Sequence, residues 1–333
     1  MTLYLHGLGH FHPEPEITNR FLEELDIGTS EQWILERVGI HSRRTMMPLD
    51  YIRETRNKNP REALEVALYT NAQIGKRAAE LAIERAGVRR EEIGMVIAGC
   101  SASDTASPAE ACNVAKALEL EVPAFDVTSA CTSLFVQIHL LSLMQPESLP
   151  PFILVVAPEG LTRTVDYTDR SAAVLWGDAA AAAVLSTRVP GRAEILGSSL
   201  ASSPAGADKV MVPRLGHFRQ EGRAVQMFAI KKTVQNLRRI QQEHRRDDRN
   251  FHFVGHQANL RMLENVCEQC EIPPEKHHHN VALFGNTGAA SAASVVSMNW
   301  DRWTASDDVA MIGVGAGLTW SGYLIRFADC GKR

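Results

Sequence analysis

The chain has 333 residues, of which 45% are hydrophobic and 22% charged, with a formal net charge of −4. That balance describes an ordinary globular protein with a large core, and it gives no whole-chain pull toward nucleic acid or an anionic membrane. Six cysteines spread over this length do not form a disulfide framework, no stretch is apolar enough to span a bilayer, and Met1 to Phe11 lacks the basic start and apolar run of a signal peptide, so a reducing, cytoplasmic setting is expected.

A helix around Ala78 to Ala86 feeds a strand at Ile93 to Cys100. A short apolar run starting at Ala124 ends in Thr128-Ser129-Ala130-Cys131, and the chain continues as a helix from Leu134 to Met144. Leu134, Phe135, Val136, Ile138, Leu140, Leu141 and Leu143 leave that helix almost no polar face, which predicts burial. Phe152 to Ala157 and Ala179 to Ser186 read as further buried strands. In the second half, Met227, Ile230, Val234 and Leu237 form the apolar stripe of an amphipathic helix. A strand at Phe251 to Val254 and a helix at Asn259 to Cys270 follow. Later strands are expected near Val281 to Phe284, Val309 to Val314 and Leu318 to Phe327. Helix followed by strand precedes both Cys131 and His256. The pattern predicts an α/β protein of two similar halves, residues 1–188 and 189–333.

Three strand-to-helix junctions carry chemically capable side chains. Cys131 stands where a helix opens, and the helix's amides and dipole favour thiolate over thiol there. A thiolate is the nucleophile of acyl transfer. His256 lies in the turn after Phe253-Val254-Gly255, and Asn286 in the turn Phe284-Gly285-Asn286-Thr287-Gly288. Singly, the cysteine reads as a small core residue, the histidine as a structural one and the asparagine as a helix cap. All three on similar junctions point to one site.

These segments resemble the Cys-His-Asn triad of the β-ketoacyl-acyl-carrier-protein synthase III family. Cys131 follows Ala130, His256 opens His-Gln-Ala-Asn-Leu-Arg, and Asn286 lies in Gly-Asn-Thr-Gly-Ala-Ala-Ser. Thr29-Ser30-Glu31-Gln32-Trp33-Ile34, Arg37-Val38-Gly39-Ile40, Arg163 through Arg170, Trp176-Gly177-Asp178 and Gly313 through Trp320 extend the match in register over the whole chain. The resemblance implies the thiolase fold, with two pseudo-equivalent α/β halves in five layers (αβαβα), active as a homodimer. It implies that an acyl-CoA acylates Cys131 and that malonyl-acyl carrier protein then condenses with the acyl group, losing carbon dioxide. His256 and Asn286 would stabilise the enolate, and the N–H groups of Cys131 and Ala316 the oxyanion. Ala316 stands where the family usually has glycine. Trp33, Arg37, Arg163 and Asn259 are placed by resemblance to bind CoA. Arg261 with Lys231, Lys232 and Arg238 would dock the acidic carrier protein. No metal or organic cofactor is implied.

The departures bear on substrate. Met46 to Gly75 is longer than in a typical member, and the segment near 48–70 reads as an insertion whose charged part is Tyr51 to Glu65. Ser107 stands where short-chain-primed relatives often carry a bulky group closing the acyl pocket across the dimer, so a wider pocket for medium-chain primers is expected. Gly177-Asp178-Ala179-Ala180-Ala181 replaces a glycine-rich version. Cys267-Glu268-Gln269-Cys270 with His277-His278-His279 has the look of zinc spacing, but the cysteines fall within a helix and the histidines precede a strand, so no zinc site is expected. Cys100, Cys112 and Cys330 read as structural. Two other readings stand beside condensation: an acyltransferase making an ester or amide through the same acyl-cysteine, and a catalytically silent condensing-enzyme subunit.

Overall fold

The computed structural model describes residues 2–214 and 216–329; Cys330 lies outside them. The main sheet contains β1 (Leu3–Phe11), β2 (Ile93–Ala98), β3 (Ala124–Asp126), β4 (Phe152–Glu159), β5 (Ala179–Ser186), β6 (Ala193–Ser202), β7 (Asn250–Gly255), β8 (Asp307–Gly315) and β9 (Thr319–Phe327). Their order is β7-β8-β9-β6-β1-β5-β4-β2-β3. Read outward from the centre, the first half runs β1-β5-β4-β2-β3 and the second β6-β9-β8-β7. Strand directions correspond as well: β2–β4 and β7–β8 pair parallel, β4–β5 and β8–β9 antiparallel. The halves join where Leu3, Tyr4 and Leu5 of β1 pair antiparallel with Ile195, Glu194 and Ala193 of β6.

Both faces of β4 and β5 are buried, as runs without polar alternation require. On β4, Ile153, Val155 and Ala157 enter one apolar cluster while Phe152, Leu154 and Val156 enter another. The first cluster is central. It holds one face of both half-sheets together with the helices Ser133–Leu143 and Ser291–Met298. The helices Asn71–Ala86 and Glu110–Ala117 cover the outer face of the first half. Gly222–His244 and Leu260–Gln269 cover that of the second. This is the five-layer thiolase arrangement. No helix among the described residues is long and apolar enough to cross a membrane.

Local chemistry sets the element ends. Thr70 accepts from the Gln73 N–H while the Gln73 side chain accepts from the Thr70 N–H, a capping box that starts the Asn71–Ala86 helix. The strand expected at Val281–Phe284 is instead a short helix. Its first amides, those of Asn280 and Val281, donate to the Gln257 side-chain carbonyl. The extended contact falls earlier, as a single parallel bridge between Phe253 and His277, which is all that remains of a counterpart to β3. β1 and β6 escaped sequence reading because His6, Gly7, Gly9 and His10 in one, and glycine and serines in the other, break the apolar run.

The segment near 48–70 folds as two helices, Leu49–Thr55 and Pro60–Val66, whose Ile52 and Ala63 are fully buried. They share a cluster with Leu161, Val165, Tyr167 and Phe218. Between the helices, fully buried Asn57 acts as a clasp. Its Nδ2 donates to the carbonyls of Arg163 (2.9 Å) and Val165 (2.8 Å), and its own carbonyl meets Nε2 of His217 at 2.7 Å. The backbone of Asn57 is left-handed, with φ 53°, which asparagine tolerates better than alanine. Asn57→Ala leaves two buried carbonyls without that donor and adds backbone strain, an expected loss of about 3 kcal/mol in chemical denaturation. A loss within about 0.5 kcal/mol of zero, typical of inert surface positions, would show that the clasp contributes nothing.

Candidate active site

Cys131 sits in the strand-to-helix turn after β3. Ala130 has φ 46°, a left-handed conformation that a non-glycine residue adopts only when its surroundings enforce it. Here Ser133 Oγ donates to the Ala130 carbonyl at 2.7 Å and accepts from the Ser129 N–H at 2.9 Å, while Thr132 Oγ1 donates to the Ser129 carbonyl at 2.7 Å. These bonds hold Cys131 just ahead of the Ser133–Leu143 helix, buried against Gly315.

The thiol does not match the expectation of a ready thiolate. Burial pushes Cys131 up to about 12, and the nearby Glu159 carboxylate adds to the rise. The Ser101 hydroxyl and the Cys131 main-chain N–H act in the opposite direction and are outweighed. Desolvation of an anion costs more here than the helix-end donors return.

His256 follows β7, and its N–H donates to the Ile312 carbonyl of β8 at 2.8 Å. Its Nδ1 is 2.8 Å from Ser291 Oγ, which also accepts from the Gln257 N–H at 3.3 Å. With the Ser291 hydroxyl as the donor to Nδ1, Nε2 carries the ring proton and is itself a donor. Burial holds His256 down at about 4, so the ring is neutral at pH 7.

Asn286 is held by two main-chain bonds to its neighbouring segment, its N–H to Leu175 O at 2.8 Å and its carbonyl to Gly177 N–H at 3.0 Å. Its Oδ1 accepts from the Gly288 N–H at 3.0 Å, which leaves the amide Nδ2 as the free donor. This approach requires glycine at 285, where φ is 66° and a Cβ would lie 2.6 Å from the Leu175 carbonyl oxygen.

Cys131, His256, Asn286 and Ala316 line one cavity of about 300 Å³. Val174, Val210, Phe218 and Met262 give it apolar walls, and Trp33 and Asn259 also line it. The Asn259 Oδ1 caps the Leu260–Gln269 helix by accepting from the Met262 N–H at 3.2 Å. Arg37 is exposed, with its guanidinium 6.0 Å from the Trp33 ring centre.

Arg163 is not among the residues that line the cavity. It is 3% exposed, pairing with Asp104 at 2.6 Å, with Asn71 Oδ1 at 3.2 Å and with the Gly160 carbonyl at 3.1 Å. It braces the loop after β4. Arg170, in the same sequence block, is exposed and lies 4.9 Å over the Trp33 ring. The sequence signal that separates the two is Asp169, which caps a new helical turn and turns Arg170 outward.

The remaining predicted residues fall outside the cavity. Ser107 is exposed in the loop after β2. Arg261 pairs with Glu264 and donates to the Leu35 carbonyl at 3.3 Å. Lys231 is exposed, the Lys232 ammonium lies 4.1 Å over Trp320, and Arg238 donates to the Gln269 carbonyl at 2.8 Å. Cys267 and Cys270 are buried beside the Gly222–His244 helix, while His278 bonds His252 at 2.9 Å. Cys100 is buried and Cys112 exposed.

The chain is similar to known proteins over its whole length. The family described as 3-oxoacyl-[acyl-carrier-protein (ACP)] synthase III matches residues 125–204, and its C-terminal part matches residues 242–327. A β-ketoacyl-[acyl-carrier-protein] synthase III from Syntrophomonas wolfei is 30% identical, with 98% of each chain covered. One from Aliarcobacter butzleri is 29% identical, with 97% of each covered. The crystal structure of 3-oxoacyl-(acyl carrier protein) synthase III from Pseudomonas aeruginosa superimposes with a TM-score of 0.85 at 28% identity, covering 100% of both chains.

The imidazole of His256 is expected to titrate by NMR near 4. Its pKa is depressed on folding, so its share of stability is intact above the ordinary imidazole value of about 6.5. That share is lost as pH falls toward 4. A midpoint at the ordinary value would overturn the neutral-donor assignment.

Proposed function

The chain belongs to the β-ketoacyl-[acyl-carrier-protein] synthase III family, a family of condensing acyltransferases, and on that premise we propose that Cys131, His256 and Asn286 are its catalytic triad. The observation that carries the assignment is their convergence on one apolar cavity with two neutral donors, His256 Nε2 and Asn286 Nδ2, available beside one thiol.

In the first half-reaction the Cys131 sulfur attacks the thioester carbonyl of an acyl-CoA. The oxyanion is met by the N–H groups of Cys131 and Ala316, and the methyl of Ala316 leaves its amide donor in place. CoA departs and an acyl-enzyme remains. In the second, the malonyl thioester of an acyl carrier protein loses carbon dioxide. His256 and Asn286 donate to the thioester oxygen as it gains enolate charge. A carboxylate there would repel that charge, whereas a neutral imidazole and an amide stabilise it. The carbanion attacks the acyl group and the β-ketoacyl product leaves. Every bond change is supplied by the two thioesters, so the proposed route calls for no metal or organic cofactor.

Trp33 offers an aromatic face at the cavity mouth, flanked by Arg37 and Arg170, a combination suited to a nucleotide ring and phosphates. Asn259 would contact the pantetheine arm. Arg261, Lys231, Lys232 and Arg238 are the basic groups proposed to receive the acidic carrier protein. A homodimer is supported by β3, which ends the sheet with an unpaired edge and exposes Phe125. In such a dimer the small Ser107 side chain would leave room for medium-chain primers. A cytoplasmic setting suits these substrates.

Intact-mass measurement with acyl-CoAs from acetyl to dodecanoyl tests the proposal. The expected outcome is an acyl adduct absent in Cys131→Ala and discharged by malonyl-carrier protein as β-ketoacyl product. His256→Ala and Asn286→Ala should still acylate but discharge at least about 100-fold more slowly, the scale of one lost oxyanion donor. Acylation without malonyl-dependent product would favour simple acyl transfer. No adduct with any primer would favour a silent subunit, and turnover of acetyl alone would rule out the wider pocket.

A further inference from the structure

The short strand Ser42–Arg44 runs between the two segments that hold Asn286. On one side the His41 N–H donates to the Ala282 carbonyl at 2.6 Å, and Ser42 Oγ to the Leu283 carbonyl at 2.8 Å. On the other the Arg44 carbonyl accepts from the Asp178 N–H at 2.8 Å. Arg43, in the middle of the strand, is fully buried. Its Nε and Nη2 both donate to the Val174 carbonyl, at 3.1 and 2.5 Å, and its Nη1 donates to Asn19 Oδ1 at 2.5 Å. Asn19 is buried as well, and its Nδ2 donates to the Ile40 carbonyl at 2.8 Å.

A buried cation ordinarily pairs with a carboxylate. These bonds of Arg43 end instead on neutral oxygens, with the Tyr167 phenol as its ionisable neighbour. Burial brings the guanidinium down to about 9, so it is still a cation at pH 7. An aliphatic side chain would fill the space without the cost of burying charge. What the guanidinium adds is a rigid planar fork, which fixes the direction of a carbonyl better than a single rotatable donor does. Glycines leave room for the stem of that fork. A Cβ on Gly285 would lie 2.8 Å from Arg43 Cγ, and one on Gly177 would lie 3.3 Å from Arg43 Cβ.

The carbonyl held by Arg43 belongs to the segment that supports Asn286. The Leu175 carbonyl, one residue on from Val174, accepts from the Asn286 N–H, and the Gly177 N–H donates to the Asn286 carbonyl. Trp176 and Asn286 thus form an isolated parallel bridge. Arg43 itself does not line the cavity.

We propose that Arg43 is a positioning residue for Asn286, holding its amide donor in place through the Val174–Gly177 segment. The assignment rests on Asn286 being an enolate donor in the second half-reaction. The effect of Arg43 is therefore confined to the step in which Asn286 acts, the decarboxylation of the malonyl thioester, and leaves acylation of Cys131 alone. Val174, Leu175 and Trp176 also line the cavity, so the two half-reactions are compared at saturating acyl-CoA.

The test uses wild type, Arg43→Lys, Asn286→Ala and the double variant. Lysine keeps the charge and loses the fork. Arg43→Lys should acylate Cys131 at close to the wild-type rate but discharge the acyl group with malonyl-carrier protein at least about tenfold more slowly, the scale of a small misplacement of a reacting group. The double variant should discharge no more slowly than Asn286→Ala, because two changes that act through one group do not add. Hydrogen exchange supplies a readout independent of turnover. The peptides carrying the Gly177 and Asn286 amides should exchange faster in Arg43→Lys, while that of the Ser133–Leu143 helix stays unchanged. If Arg43→Lys does not fold, as judged by melting, Asn19→Ala replaces it: that variant removes one acceptor of the fork, and the same pattern is expected. Equal slowing of acylation and discharge, slowdowns that multiply in the double variant, or unchanged exchange at 177 and 286 would each overturn the assignment. Discharge at the wild-type rate by Asn286→Ala would instead overturn the enolate role of Asn286, and the exchange comparison would still decide whether Arg43 holds that residue in place.

Discussion

The burial of two helices between the halves of the sheet is the constraint on which the site depends. Ser133–Leu143 and Ser291–Met298 lie in one central cluster with strand faces from both halves. Because each enters that cluster from a turn beyond a half-sheet, their leading residues are brought into one space. Cys131 precedes the first helix, and Asn286 and Ser291 precede and open the second. His256 arrives from β7, held to β8 by its own N–H. A close-packed interior transmits small shifts, so core substitutions in either helix would be felt at Cys131.

Desolvation then decides the chemistry. The same burial that raises Cys131 lowers His256 and raises Glu159. A neutral histidine is useful where an enolate must be stabilised. Asp178, also raised by burial to about 6, is tied by the Met46 and Thr162 amides and the Thr162 hydroxyl. It holds the segment ahead of the insertion against the loop after β4 and does not face the cavity.

The helices Leu49–Thr55 and Pro60–Val66 connect to the cavity through its outer wall. Asn57 ties the 163–165 segment and His217 together, and Phe218, one residue on, packs edge-on against Trp176 with ring centres 4.5 Å apart. Both aromatic rings line the cavity. The two helices are thus a brace for the cavity wall, continuous with the core.

The sequence by itself determined the α/β class, the doubled helix-strand pattern and the three junction residues, because apolar periodicity and small-residue turns are local properties. Cys131, His256 and Asn286 were legible for that reason, and their motifs carried the family resemblance. Only tertiary structure decided which charged groups are free. Arg163 and Arg170 share one sequence block, yet one is sealed in an ion pair and the other stacks over Trp33. Residues 281–284 looked extended, but Gln257, distant in the chain, supplies the acceptor that starts a helix there. The direction of the Cys131 shift was likewise hidden, since a helix N-terminus is visible locally and the depth of burial is not. Glu159 carried no signal at all: it reads as the polar end of a strand until Ser101 and Ala289 are folded around it. Desolvation and long-range hydrogen bonds are made by partners far apart in sequence, and no local pattern encodes them.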